Sequence, residues 1–441
     1  MTNPPLASIS KITLRAASTA LTLVVLFLFG VITTQSAQAR TFAVLYDFTG
    51  TDGAIPEAGL VRDTAGNLYG TTEVGGAGNY GTVFELTPTA GGAWTEKVLH
   101  TFNLNGKDGA YPATSLIFDA AGNLYGTTVG GGKYYDGTVF ELTPKAGGSW
   151  TEKVYSFSGK DGESPWGAGL IVDAAGNLYG TTFYGGSGTC NNDGFGGCGT
   201  VFELTTKAGG GWAEKVLYSF RDNGKDGNYP YASLIFDAAG NLYGTTVAGG
   251  KYYDGTVFEL TPKAGGAWTE KLLHTFKGSD GYSPYASLIF DASGNLYGTT
   301  SGDGSGTCNS DGCGTVFELI PKAGGGYTEN VLHSFNGSDG SSPYASLIFD
   351  ASGNLYGTTL SGGGFTSRCT YGCGTVFELT PKAGGGWTEK VLLSFNDNNG
   401  AFPVASLMFD ASGSLYGTTS GGSGTCNVGF IGCGKVFKLT P

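Results

Sequence analysis

A single tetrapeptide, Asn-Leu-Tyr-Gly, begins at residues 67, 123, 177, 241, 295 and 354, and returns as Ser-Leu-Tyr-Gly at 414. Successive copies lie 56, 54, 64, 54, 59 and 60 residues apart. A second marker, Gly-Thr-Val-Phe, follows each copy at 81, 137, 199, 255, 314 and 374, and closes as Gly-Lys-Val-Phe at 434. Seven copies of one unit therefore run from about residue 42 to the last residue, and such a chain buries its core by packing copies against one another.

The copy at residues 232–276 reads ASLIFD, the turn AAGN, LYGTT, a Gly-rich loop, GTVFELTP, the turn KAGG, and WTEKLLHTF. These are four short β-branched and aromatic runs, each bounded by Gly, Asp, Asn or Pro. Gly makes up 80 of 441 residues with no collagen period, which suits many strands joined by tight turns. A four-stranded meander cannot cover both of its faces alone, whereas seven such sheets round an axis can. The expected fold is all-β, a seven-bladed β-propeller of four-stranded antiparallel blades; an open solenoid is the alternative. The ends separate the two. Phe42-Ala-Val-Leu-Tyr-Asp-Phe48 matches the fourth strand of a unit, and the last unit, residues 405–439, stops after its third. The N-terminal strand is therefore expected to complete the last blade and remove an exposed edge, which an open solenoid would not require.

Residues 1–39 read as a signal peptide. Lys11 and Arg15 precede an apolar run from Ala20 to Ile32, and Ala37-Gln38-Ala39 is a small-x-small cleavage pattern; an uncleaved anchor is the weaker reading, because the run is shorter than the roughly 20 residues of a spanning helix. Cleavage would change the net charge from −12 to −14, which denies a nucleic-acid partner its electrostatic footprint. The mature domain, residues 40–441, is expected to be secreted or periplasmic, monomeric, and free of membrane once cleaved.

Asn-Leu-Tyr-Gly-Thr-Thr followed by Gly-Thr-Val-Phe-Glu-Leu-Thr-Pro resembles the GloVer (Gloeo/Verruco-type) tandem-repeat family of exported bacterial proteins, over residues 42–441. The resemblance implies export and a propeller, and it brings no activity or catalytic residues. Members look as if they carry a C-terminal sorting segment, whereas this chain ends at Pro441, so release is expected rather than anchoring.

The eight Cys form close pairs in the loops between second and third strands: Cys190/Cys198, Cys308/Cys313, Cys369/Cys373 and Cys426/Cys433. Four local disulfides are expected; zinc is the alternative, but no His lies in these loops. His100, His274 and His333 share one repeat position with Tyr46, Tyr155, Tyr218 and Leu393, which points to packing rather than catalysis and leaves triad mechanisms without a base. Asp63 and its six equivalents read as turn caps, and Glu85 and its equivalents as strand-face acids. Because these acids recur, they do not single out a catalytic pair. Asp52, Asp108, Asp161, Asp226, Asp280 and Asp339 open Asp-Gly-x-x-Pro, with Asn399 in the last copy. Calcium is the sharper reading of that column and a tight turn the plainer one. No cofactor or metal site is otherwise expected.

Strand order places the variable loops and the Asp-Gly-x-x-Pro crossings on one face. Tyr134, Tyr135, Tyr184, Tyr252 and Tyr253 in the loops, and Trp166, Tyr231, Tyr285 and Tyr344 in the crossings, are the candidate ligand-binding residues; filling gaps between blades is the competing role for the crossing aromatics. The expected function is non-catalytic binding of carbohydrate or of an extracellular peptide or protein. The alternatives are a propeller enzyme of polysaccharide-lyase or quinone-dependent oxidoreductase type, and a structural matrix protein.

Overall fold

A computed structural model describes residues 40–441 except 168, 191–195, 305–307, 309–311, 424–425 and 427–431. The expected signal peptide and loop residue Phe430 lie outside the described residues. Among those described there is no helix long and apolar enough to cross a membrane.

Each unit is a four-stranded antiparallel blade. In the first, the strands are Val61–Arg62, Leu68–Thr72, Thr82–Pro88 and Trp94–Thr101, paired in that order. The inner strand is short: only Val61 and Arg62 pair, with Tyr69 and Leu68, before the turn at Asp63. The last blade is Met408–Phe409, Leu415–Thr419 and Lys435–Thr440, with Thr41–Asp47 as its outer strand. The N-terminal strand pairs antiparallel from Thr41↔Thr440 to Asp47↔Lys435, and the Asp47 carboxylate accepts from the nearly buried Lys435 ammonium. The spare strand thus closes the ring as expected.

Three sevenfold sets of contacts join neighbouring blades. Where each fourth strand ends, a Phe meets the Phe of the next Gly-Thr-Val-Phe edge to face: 48 with 84, 102 with 140, 157 with 202, 220 with 258, 276 with 317, 335 with 377 and 395 with 437, at centroid separations of 5.0 to 5.3 Å. Such pairs add roughly 0.5–1.5 kcal/mol each beyond burial. In every second strand, the first Thr of the Thr-Thr pair donates its hydroxyl to a carbonyl of the next crossing, from Thr71 to Thr114 through to Thr418 to Ala58. Finally, the Pro of each crossing lies against the Gly that opens the preceding Gly-Thr-Val-Phe or Gly-Lys-Val-Phe, from Pro112 on Gly81 to Pro56 on Gly434. That Gly has positive φ in every copy, and a Cβ would collide with the Pro ring. The Gly of the second marker is thus a requirement of blade packing.

The four expected disulfides are present, at Cys190–Cys198, Cys308–Cys313, Cys369–Cys373 and Cys426–Cys433. Such bonds belong to an oxidising compartment.

The repeated acids have structural partners. Asp63 caps its turn through the Asn67 N–H and side chain, and Glu85 accepts from the Tyr69 hydroxyl. The Asp-Gly aspartates form a polar cluster at each seam. Asp52, Asp161 and Asp226 accept from Tyr46, Tyr155 and Tyr218 at 2.6, 2.6 and 2.9 Å, and Asp108, Asp280 and Asp339 lie 3.2, 3.5 and 3.2 Å from His100, His274 and His333. A Glu on the outer strand of the next blade faces each one. Burial first, and the aspartate charge in addition, raise Glu96 and Glu214 to about 7 and Glu270 to about 8. Protonating the Glu removes both that repulsion and the cost of burying its charge. At the seventh seam all three positions change together, to Leu393, Asn399 and Phe42, and Phe42 packs against Phe395 and Phe437. His100–Asp108–Glu152 and His333–Asp339–Glu389 each bring three donor atoms within 4.8 Å of one another. The aspartate oxygens there also accept from the backbone N–H groups of Asn103 and Asn336, the contacts expected of a tight turn.

Candidate functional site

Two backbone hydrogen bonds shape every crossing. The residue before the Pro, which is Ile55, Tyr111, Ser164, Tyr229, Ser283, Ser342 or Phe402, donates its N–H to the carbonyl just before the preceding blade's Gly-Thr-Val-Phe or Gly-Lys-Val-Phe. In four seams that carbonyl belongs to a disulfide cysteine: Cys198, Cys313, Cys373 or Cys433. Its own carbonyl accepts from the N–H of the residue just after its blade's second strand, as Ile55 does from Glu73 at 2.9 Å. So clamped, all seven pre-proline residues hold φ between 51° and 63°. That conformation is costly for L-residues and most so for the β-branched Ile55. This strain, over-determined by the clamps, is of the kind that positions functional side chains.

The clamps bring two columns of residues together at the axis. The first follows the Pro and reads Glu57, Ala113, Trp166, Tyr231, Tyr285, Tyr344 and Val404; the second follows Thr-Thr and reads Glu73, Val129, Phe183, Val247, Ser301, Leu360 and Ser420. Only the first blade has an acid in either column, and it has one in both.

These columns surround an axial cavity of about 500 Å³ to which all seven crossings contribute. It lies at the loop-bearing end, since Glu73, Leu360 and Ser420 at the loop starts line it. Tyr231, Tyr285 and Tyr344 form an arc along consecutive blades, with Tyr231 edge-on to Tyr285 at 5.1 Å and Tyr285 stacked on Tyr344 at 4.5 Å. Trp166 extends the arc, 6.3 Å from Tyr231. A side chain at Gly167 would occupy the Tyr231 ring, so that glycine admits the arc. Below the arc, serine hydroxyls link blades, accepting from the N–H of the blade before: Ser115 from Gly59, Ser346 from Ser287 and Ser406 from Ser346.

Glu57 and Glu73 line the same cavity, and none of its lining residues is Lys, Arg or His. Burial raises both carboxyls above their ordinary value, and the Glu73 charge pushes Glu57 further, to about 8. The pair therefore keeps a proton to a pH where an exposed glutamate has lost it. Tyr231 is pushed up chiefly by burial and next by the Glu57 charge, so the arc and the acids share one electrostatic environment. Tyr285 is raised to about 12 by burial and the neighbouring Tyr344.

The candidate aromatics divide into two groups. Tyr231, Tyr285 and Tyr344 line the cavity, with Trp166 beside them and 37% exposed. Tyr134, Tyr135, Tyr252 and Tyr253 stand on the rim of blades two and four at 49, 56, 46 and 59% exposure; Lys133 and Lys251 lie over the Tyr134 and Tyr252 rings. Tyr184 packs against Phe183 and Tyr229. Glu57 and Glu73 were missed because acids were sought where they recur. The signal lay in the columns where one copy departs from the other six.

The Gloeobacter/Verrucomicrobia repeat profile matches residues 27–191 and 187–431, and the chain belongs to that family. No curated protein matches it. Among solved structures it is similar to an oxidoreductase assigned as a glucose dehydrogenase from Thermus thermophilus, at 15% identity over 91% of this chain and 100% of that one, with a TM-score of 0.43. It is also similar to the PQQ-bound aldose sugar dehydrogenase of Streptomyces coelicolor, at 12% identity over 78% of this chain and 97% of that one, with a TM-score of 0.43. Likeness at this level says nothing of this chain's chemistry.

Proposed function

For this member of the Gloeobacter/Verrucomicrobia repeat family, we propose a saccharide-binding role, with a sugar held in the axial cavity and the rim tyrosines as outer contacts. The observation that carries the reading is the one-sided lining of the cavity. Tyr231, Tyr285 and Tyr344 offer ring surface and hydroxyls on one side, and Glu57 and Glu73 offer hydrogen-bond acceptors from the first blade. Apolar surface with a few placed polar groups is what a pyranose needs, and about 500 Å³ falls within the range of small-molecule sites. Four disulfides support a role in an oxidising compartment, outside the cell or in a periplasm.

The lining argues against two of the enzymatic alternatives. A lyase acting on uronic acids would set substrate carboxylates against Glu57 and Glu73. A tricarboxylate quinone cofactor would meet the same acids with no Lys, Arg or His among the lining residues to hold it, so the residues present do not fit that group. A second reading rests on the acid pair itself. Two neighbouring carboxyls in one cavity, both raised by burial, are the residue types that glycosidic-bond hydrolysis uses.

The test is an oligosaccharide binding screen on the mature protein with two variants. Tyr285→Ala is expected to weaken binding at least ~10-fold, or about 1.4 kcal/mol, and Tyr134→Ala/Tyr252→Ala by less than ~3-fold. Loss confined to the rim variant would move the site out of the cavity. Release of reducing ends that stops in Glu57→Gln would favour the hydrolytic reading.

A further inference from the structure

The acids define the ligand more narrowly than the tyrosines do. Glu57 and Glu73 have no cationic partner among the described residues, and neither side chain is engaged in a hydrogen bond. Most of the recurring acids in the ring have such partners. The seam aspartates are bound by Tyr, His and backbone N–H groups, the turn aspartates by Asn and backbone, and the third-strand glutamates by Tyr or Lys. Buried carboxyl oxygens without a partner also occur on the outer-strand glutamates such as Glu96 and Glu214, but those face the blade seams; Glu57 and Glu73 are the unmatched pair that lines the axial cavity.

Six blades show what the fold accepts at these two positions: Ala, Trp, Tyr or Val in the first column, and Val, Phe, Ser or Leu in the second. Neither position needs a carboxyl for folding, and placing two there costs desolvation and mutual repulsion. A cation in the cavity would remove both costs. The opposite wall is suited to the same guest, because aromatic rings attract a desolvated ammonium. The acidic chain, at a net charge of −12, would also steer a cation inward.

We propose that the axial cavity recognises a protonated amino group on its saccharide, so that the ligand is an amino sugar with a free amine, its ammonium between the Glu57 and Glu73 carboxylates and its ring against Tyr231 and Tyr285. This inference rests on the saccharide reading above. The proton held by the empty acid pair leaves when the ammonium enters, since two full negative charges then face one positive charge. Neutral sugars release no such proton.

The experiment is isothermal titration calorimetry on the mature, disulfide-bonded protein at pH 6, in two buffers of different ionisation enthalpy. The probes are a β-1,4-linked glucosamine tetramer, its fully N-acetylated counterpart and a β-1,4-linked glucose tetramer. The glucosamine tetramer is expected to bind at least ~10-fold tighter than either neutral probe, with up to one proton released. In Glu57→Gln/Glu73→Gln that preference and the proton release disappear, so that the glucosamine tetramer binds no tighter than the neutral probes; an unchanged far-UV circular dichroism spectrum shows that the variant is folded. Equal affinity for all three probes in the parent protein, or a preference that survives in the double variant, overturns the amine assignment and leaves saccharide binding standing. Failure of all three probes overturns both. Calcium alone binding with micromolar affinity, and lost in the double variant, would reassign the acids to a metal and also overturn the proposal.

Discussion

Replacing Glu214 by Gln is expected to stabilise the ring at alkaline pH and to do little at acidic pH. Glu214 faces Asp161 across the seam between the second and third blades, and Asp161 is already committed as acceptor to the Tyr155 hydroxyl at 2.6 Å and the Ser158 N–H at 2.7 Å. Burial, then the Asp161 charge, raises Glu214 to about 7 from an ordinary 4.5. A folded-state value above the unfolded one means that the folded protein holds the proton more tightly. Stability is therefore full below about 4.5 and falls as pH rises through about 7. At roughly 1.36 kcal/mol per pH unit that interval would be worth about 3 kcal/mol in a dry site, and solvent screening of the half-exposed carboxyl leaves about 1–2 kcal/mol. Gln carries a permanent donor toward Asp161 and loses nothing over the same range. With an unfolding entropy of about 2.1 cal/mol/K per residue over some 400 residues, 1–2 kcal/mol is about 1–2 °C in Tm. Thermal melts of both proteins at pH 5 and pH 9 read it directly. The reasoning is refuted if the Tm difference between variant and parent is the same at both pH values, or if the variant is the less stable at pH 9.

Two further outcomes follow from the blade seams. Gly434→Ala places a Cβ against Pro56 and the Thr419 carbonyl, at a φ of 90°; it is expected to cost on the order of 2–4 kcal/mol, whereas Gly91→Ala, in an open turn with negative φ, stays within about 0.5 kcal/mol by chemical denaturation. Reducing the disulfides frees loops closed over 4 to 8 residues, each worth roughly 2 kcal/mol on chain-entropy grounds. Because Cys198, Cys313, Cys373 and Cys433 carry crossing acceptors, hydrogen exchange should quicken first at Tyr229, Ser342, Phe402 and Ile55 while the third strands stay protected.

The architecture was legible because repetition turns a weak strand pattern into a strong one. A single Leu-Tyr-Gly-Thr-Thr is ambiguous, but seven at near-equal spacing with a spare strand at one end leave few arrangements. The disulfide pairs were legible from spacing alone. The origin of the seam clusters was not, since His100, Asp108 and Glu152 are separated by 8 and 44 residues and meet only when adjacent blades pack. Their unity is nonetheless written in the last copy, where Leu393, Asn399 and Phe42 replace all three at once. The axial acids were harder still. Glu57 next to Pro56 and Glu73 after Thr72 look like surface residues of a loop-rich chain, and only the clamps at Ile55 turn both toward the axis.

The pairing of Thr41–Asp47 with Lys435–Thr440 also fixes an order of events. The strand made first on the ribosome has no partner until nearly 400 residues later, when the last strand emerges. Each intermediate length is an arc with two unpaired edges, and no blade addition short of the seventh removes them. Ring closure is therefore a test of completeness. A chain truncated before Lys435 keeps Thr41–Asp47 unpaired and available to proteases and chaperones, whereas pairing with Lys435–Thr440 covers the edges of both strands in a single step.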